Sequence, residues 1–386
     1  MKKYIIIAVA ALVASAACTK TEVAQTPDVA VSFNVANYKS GTRAADPSAP
    51  ANSFLRIDDH FSSAAFLHAE GVDLNADGTV KTNSDSYQNF FGSASPWTET
   101  ISWNSSDKKW APAQTYYWPK GSQSFVNFVS WYGATPTLSY AYDGTASKWT
   151  ATMTFAAAAL TASSDILYAD MAWRQKANVS SYHVDDASVT GVPTVFRHGL
   201  SRIAVKAYVQ DGNDGITSGP TDGNATWTVT VKNLTIGSVT TGASLVLTNA
   251  DPGSNTTQQW TATLSGGSAG NIAQANPTTG VAVEAAAISA NAATAVLPMQ
   301  SVLPQTIASS VKMTFDVDIV ATYTNGATHH EVLHEEVALS AFGTSEWVKN
   351  TQYTYIIRVN PSENVVLYDP KVEEDWQEAT TTEQEI

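Results

Sequence analysis

Apolar and polar residues alternate with a period of two along most of the chain. Val29–Val35, Ser124–Trp131, Trp149–Phe155, Ile203–Val209, Thr226–Ile236, Ser244–Thr248, Val311–Tyr323, Glu331–Leu339 and Gln352–Val359 each read as a strand rich in β-branched and aromatic residues. Turn signals separate them at Asn75-Ala76-Asp77-Gly78, Asp143-Gly144, 211–215, 221–224, Ser265–Gly270 and Asn325-Gly326. The last is a strong hairpin signal, with Val311–Tyr323 and Thr328–Leu339 as its arms. Only Ala156–Leu160 suggests helix, of one or two turns. Many short strands with frequent turns predict an all-β protein made of β-sandwiches. One sandwich rarely needs more than about 200 residues, so the 386 residues predict two domains. The division is expected near residue 190, where Asp185-Asp186 and Gly191-Val192-Pro193 interrupt the strand pattern. That gives an N-terminal sandwich over 44–190 and a C-terminal sandwich with a tail over 191–386.

The N-terminus departs from this pattern. Met1-Lys2-Lys3 is basic, Tyr4–Val13 is an apolar run of ten, and Ser15-Ala16-Ala17 leads into Cys18. Residues 1–17 read as a secretory signal peptide, its apolar run too short to span a bilayer. The only cysteine follows the small-residue cleavage site, which resembles a bacterial lipoprotein with Cys18 lipidated, although Ser15 stands where such proteins usually carry Leu. An acyl anchor buries its CH₂ groups at ~0.8 kcal/mol each and holds a domain on a membrane. No later stretch approaches 18 consecutive apolar residues. Residues 44–52, rich in Pro, Ala and Ser, read as an extended, accessible linker.

Composition narrows the function. With 21 Lys+Arg against 35 Asp+Glu the net charge is −14, so nucleic acid is excluded as a partner. One cysteine excludes an intramolecular disulfide and a Cys-rich zinc site. At 44% hydrophobic and 15% charged residues, the chain is too apolar for disorder.

Three motifs resemble chemistry, and their surroundings reject each. His330-Glu331-Val332-Leu333-His334 matches the zinc-peptidase H-E-x-x-H, but it follows Asn325-Gly326 in an alternating segment. On a strand, residues four apart lie roughly 13 Å apart, too far to share one metal. Gly266–Gly270 matches G-x-S-x-G, but it reads as a Gly/Ser loop without the following helix of a nucleophile elbow. Asp73–Gly78 matches the start of a calcium loop, yet its twelfth position is Ser84 in place of the bidentate Glu. No catalytic, metal-binding or cofactor residues are assigned, and no enzyme is expected.

Six segments together resemble the fimbrillin-like (Mfa-like) pilins of Bacteroidetes, subunits of type V pili. They are Val31-Ser32-Phe33 with Gly41-Thr42-Arg43-Ala44-Ala45; Tyr116-Tyr117-Trp118-Pro119 leading to Phe125–Tyr132; Asp165–Ala169; Phe196–Ile203; Val296–Gln300 with Leu303-Pro304-Gln305; and Tyr353-Thr354-Tyr355 with Val372–Trp376. The resemblance spans residues 31–376 and implies two tandem transthyretin-like Greek-key sandwiches. It implies an outer-membrane lipoprotein whose propeptide, 18–43, is cut by an Arg-specific protease between Arg43 and Ala44. The cut removes the strand carrying Val29, Val31, Phe33 and Val35. Other pilin subunits then join by β-strand complementation on the cell surface, in a fimbrium. The family uses a C-terminal donor strand, for which Val365, Val366, Leu367, Tyr368 and Trp376 are the candidates, because Gln377–Ile386 is polar and acidic. The alternative is a monomeric surface lipoprotein binding glycans or host ligands through aromatics among Trp97, Trp103, Trp110, Tyr116, Tyr117 and Trp118.

Overall fold

A computed structural model describes residues 29–36, 60–68, 87–92, 95–119, 124–176, 191–210, 225–284, 286–323, 325–361 and 365–375. Among these the protein is all-β, with only short 3-10 turns such as Ala157–Ala159 in the predicted helical stretch. The Asn325-Gly326 turn joins Lys312–Tyr323 to Thr328–Ala338, and Asp143-Gly144 joins Thr137–Asp143 to Lys148–Phe155. The Asp143 carboxylate stabilises the second turn by accepting from the backbone N–H groups of Thr145 and Ala146, at 2.9 and 3.1 Å.

Three apolar cores organise the strands. Strands Phe125–Tyr132, Leu167–Ala169, Val192–His198, Phe33–Ala36, Lys109–Pro112, Thr98–Asn104 and His60–His68 pair in that order, and the last pairs back to the first, closing a ring. Phe33, Phe61, Phe91, Trp110, Phe128 and Phe196 pack in the core that these strands share. Alternation turns Val129 and Trp131 to the opposite side, against Tyr140, Trp149, Met153 and Phe155 of the Asp143-Gly144 hairpin. The strand Phe125–Tyr132 is therefore buried on both faces, Asn127 and Ser130 included. The third core lies between a four-stranded sheet (Thr294–Val302, Ser201–Val209, Thr351–Asn360, Val365–Asp375) and the sheet containing Lys312–Tyr323.

Two sequence expectations are corrected. Thr226–Ile236 and Ser244–Thr248 are one strand, Ala225–Ala250, whose first part pairs with Lys312–Tyr323 and whose last part pairs with Lys148–Phe155. Register shifts near Lys232/Thr235 and Ile236/Val239 absorb the irregularity as bulges rather than ending the strand. Where neither strand flanks it, the Gln305 side chain substitutes: its Oε1 accepts from Thr240 N at 2.6 Å, and its Nε2 donates to Thr240 O at 3.2 Å. Ser265–Gly270, expected as a turn, lies inside the strand Thr261–Ala273 paired to the same long strand. Gly266 and Gly267 take φ of +73° and +90° beside Gly242 at +63°, so a left-handed kink is accommodated within continuous pairing.

The long strand carries pairing across residue 190. Lys148–Phe155 lies before that position and Ala225–Ala250 after it, and Met171–Gln175 likewise pairs with Thr256–Gln258. Polar contacts follow the same route. Arg174 forms a salt bridge to Asp251 at 2.6 Å, and Trp173 Nε1 donates to Asn249 Oδ1 at 2.9 Å. Lys349 Nζ donates to the Tyr168 hydroxyl at 2.5 Å and to the Trp260 carbonyl at 2.9 Å.

Burial, with Arg197 adding to it against the opposing pull of Asp170, brings the Lys349 pKa down from 10.5 to about 8. The unfolded chain then binds more protons between about pH 8 and 10.5, so this group makes stability rise with pH across that window. Tyr168 works the other way: its pKa is raised chiefly by burial, so unfolded tyrosine ionises first above pH 10 and stability falls there. The expected result is a gain of about 1–2 kcal/mol in unfolding free energy from pH 7.5 to 9.5. Denaturant titrations check it, and Lys349→Met should flatten the rise.

Candidate functional site

The N-terminal segment is a wall of the first core. Phe33–Ala36 pairs in parallel with Val192–His198, from Phe33↔Val192 to Ala36↔Val195, and touches Lys109–Pro112 on its other side at Phe33↔Trp110. Upstream, Val31 N donates to Tyr116 O at 2.7 Å and Trp118 N donates to Val29 O at 3.0 Å, while Val192 N donates to Ser32 O at 2.8 Å. The segment is thus held by backbone hydrogen bonds on both edges.

Its alternating side chains supply the core contacts. Val31, Phe33 and Val35 are each at most 3% exposed. Phe33 meets Phe61 and Phe128 edge-on, with ring centroids 5.5 and 5.6 Å apart. Burial of these three side chains is worth about 1.5–3 kcal/mol each, as an upper estimate. The fourth residue of the predicted face, Val29, sits at the entrance and is 38% exposed. Asn34, between the apolar Phe33 and Val35, is itself buried. Gly191 permits the close approach: a Cβ there would stand 2.9 Å from Asn34 N and from the Phe33 carbonyl carbon. In the sequence Gly191-Val192-Pro193 reads as a break in the strand pattern; in the structure Gly191 leads directly into the strand Val192–His198.

The remaining predicted residues divide. Cys18, Arg43, Ala44 and Trp376 lie outside the described residues, as does the calcium-like segment 73–84. Val365, Val366, Leu367 and Tyr368 begin the strand Val365–Asp375, antiparallel to Thr351–Asn360 on the chain's own four-stranded sheet. Val366 and Tyr368 pack on the third core, the Tyr368 hydroxyl donates to Glu335 at 2.7 Å, and Leu367 is 40% exposed. The H-E-x-x-H residues lie on the strand Thr328–Ala338, where His330 Nε2 bonds Asp318 at 2.5 Å and His334 Nδ1 bonds Asp316 at 2.6 Å. Asn233 foremost, aided by His334, holds the Asp316 carboxyl below its usual range; Asp318 is lowered too, Lys232 and His330 outweighing burial. This cross-strand polar ladder was legible in Asp316-Val317-Asp318, an alternation opposite the histidines.

The fimbrillin-like family model matches residues 73–376. The chain belongs to the fimbrillin-like family. A fimbrial protein from Bacteroides vulgatus is 16% identical over 90% of this chain and 99% of its own, with a TM-score of 0.44. A candidate cell adhesion protein from Bacteroides uniformis is 15% identical over 92% and 99%, with a TM-score of 0.39. The fimbrial anchor protein Mfa2 from Porphyromonas gingivalis is 11% identical over 90% and 97%, with a TM-score of 0.25. No curated protein matches.

The fimbrillin-like segments have structural work around this wall. Tyr116–Trp118 is the rail that bonds Val29 and Val31, and the Tyr116 hydroxyl is fixed by donating to Glu99 at 2.6 Å and accepting from Gly92 N at 3.1 Å. On the other side of the wall, Leu167–Ala169 runs beside Phe196–His198, and Ser201–Ile203 continues into the four-stranded sheet. Arg197 grips Asp170 with two bonds of 2.8 and 2.9 Å, and His198 Nδ1 meets Asp165 at 2.6 Å. Of the clustered aromatics, Trp110 and Trp118 are buried and Trp103 packs on Trp110, whereas Trp97 and Tyr117 are 38% and 51% exposed. Phe33→Ala should lower the unfolding free energy by about 3–5 kcal/mol, whereas Val29→Ala should change it by less than about 0.5 kcal/mol. Equilibrium urea unfolding of the full chain measures both.

Proposed function

We propose that this chain is a structural and adhesive pilin subunit of the cell surface, delivered to the outer membrane by a lipid on Cys18. Cleavage between Arg43 and Ala44 by an Arg-specific protease releases 18–43 and with it the strand around Phe33. The observation that carries this reading is the position of that strand. It is an integral wall of an apolar ring, yet Arg43 follows its last residue, Ala36, by only seven positions. One cut in the linker therefore detaches a complete structural element. Its departure leaves the backbone groups of Val192–His198 and Tyr116–Trp118 without partners, above a floor of Phe61, Phe91 and Phe128. Such an edge is a template for a strand from another chain.

Before the cut the same strand keeps the precursor monomeric. After it, a donor from a neighbouring fimbrillin-like subunit fills the groove. The segment Val365–Tyr368 serves as donor only by leaving its own sheet edge, with Trp376 following it. On this reading the family's two tandem transthyretin-like sandwiches are linked by the long strand Ala225–Ala250, which contributes to the second and third cores.

Surface-exposed material from cells should have Ala44 as its N-terminus by intact-mass analysis and run as heat-labile ladders. Arg43→Gln should abolish the ladders while leaving the melting temperature of the precursor unchanged. Ladders of normal length from Arg43→Gln, or a surface chain still lipidated at Cys18 in every fraction, would overturn the reading.

A further inference from the structure

A cleft of about 400 Å³ opens beside the second core, away from the N-terminal strand. Its volume falls within the roughly 300–1,000 Å³ of small-molecule sites. Tyr87 and Trp97 supply aromatic surface over the buried Phe66, and Asn89, Thr98 and Thr137 supply neutral hydrogen-bonding groups. Among the described residues no Asp, Glu, Lys, Arg or His lines it. In a chain of net charge −14 this is a locally neutral surface.

The aromatic wall is rigid before any ligand arrives. Phe66 stacks on Tyr140 with ring centroids 4.2 Å apart and planes at 5°, and Tyr140 stacks on Trp149 at 5.1 Å and 6°. Tyr87 meets Phe66 and Tyr140 edge-on at 5.7 and 5.0 Å. The Tyr140 hydroxyl bonds His68 Nε2 and accepts from Asn127 Nδ2, both at 2.7 Å, which fixes the column from behind. Trp97 stands apart from this packing. It is 38% exposed and its backbone takes φ of +58°, a left-handed conformation costly for a bulky residue. An indole held in solvent at that cost gains nothing for the core.

We infer that this cleft binds a neutral saccharide. The apolar face of a pyranose ring matches an aromatic plane, and its hydroxyls match amide and hydroxyl side chains that both donate and accept. A charged ligand would find no counter-charge here and would pay for its desolvation. The cleft is separate from the strand groove, so the inference does not depend on proteolytic assembly.

The test is an array of neutral, sialylated and sulfated oligosaccharides probed with the purified full chain, with proline-rich peptides as a parallel set. Hits are followed by saturation-transfer NMR at millimolar concentration. Neutral oligosaccharides should bind, and Trp97→Ala and Asn89→Ala should each weaken binding at least tenfold without lowering the melting temperature. If Trp97→Ala fails to fold, Asn89→Ala decides, because Asn89 is an exposed residue on the short strand Gln88–Asn89. No neutral saccharide bound at millimolar concentration, binding unchanged in the folded variants, or binding of peptides alone would overturn the inference. Ladder formation by Trp97→Ala chains should be normal, which separates a failure here from a failure of the assembly reading.

Discussion

The closed ring depends on one short segment making backbone hydrogen bonds on two sides at once. Strands Val192–His198 and Lys109–Pro112 do not pair with each other; Phe33–Ala36 stands between them. Without it the sheet has two long edges and an open apolar interior, the configuration that soluble β proteins ordinarily avoid. Its attachment is mainly backbone hydrogen bonding and apolar burial, with no salt bridge involving 29–36 among the described contacts. Such a joint is insensitive to salt and indifferent to the acidity of the surrounding chain. It is also transferable, because backbone groups recognise any extended chain while the alternating pockets select its side chains.

Charge is placed where it does other work. The largely buried ion pair Arg197–Asp170 braces two neighbouring strands of the ring, and Arg174–Asp251 ties the strand Met171–Gln175 to the end of the long strand. A buried pair of this kind is a weak source of net stability but a strong penalty on alternative packings, since separating it strands a charge in an apolar setting. The Asp316/His334 and Asp318/His330 ladder is the opposite case, solvent-facing and worth little per pair. The long strand Ala225–Ala250 is what makes these separate devices act on one body, since its two ends belong to different cores.

Period-two alternation marked the strands well, because side-chain period is a local property that burial on one face imposes directly. It located Lys312–Tyr323, Thr328–Ala338 and Thr351–Asn360 to within a few residues, and the Asn325-Gly326 turn between the first two. It also put the H-E-x-x-H motif on a strand, where its two histidines face different aspartates instead of a shared ion. The apolar face at Val31, Phe33 and Val35 was legible for the same reason, and Val29 was not separable from it by pattern alone. What the pattern lacks is pairing. Nothing local says that Phe33 sits opposite Val192, nearly 160 residues later, or that bulges let one strand continue through Gly237 and Gly242. Gln305 imitates a strand partner through a side-chain amide, and Gly191 matters only because a backbone passes it. The cleft has no local signature, because its lining comes from loops and strands far apart in sequence.

The geometry of the wall also limits what can replace it. A substitute strand needs apolar side chains at three alternate positions, a central one large enough to meet Phe61, Phe91 and Phe128, and close approach of its backbone at Gly191. The tail Gln377–Ile386 offers only Ala379 and Ile386, seven positions apart, and cannot meet the first condition. Val366 and Tyr368 have the alternate spacing and the size for two of the three positions, with Asn364 and Pro370 on either side, and they are already committed to the third core and to Glu335. Transfer of that segment therefore exchanges one set of buried contacts for another within the same kind of pocket. The net driving force of joining is then the small difference between two similar burials, not the whole of either. In the assembly proposed above, direction comes from the irreversible loss of the chain's own strand, because proteolysis, unlike binding, is not balanced by a return reaction.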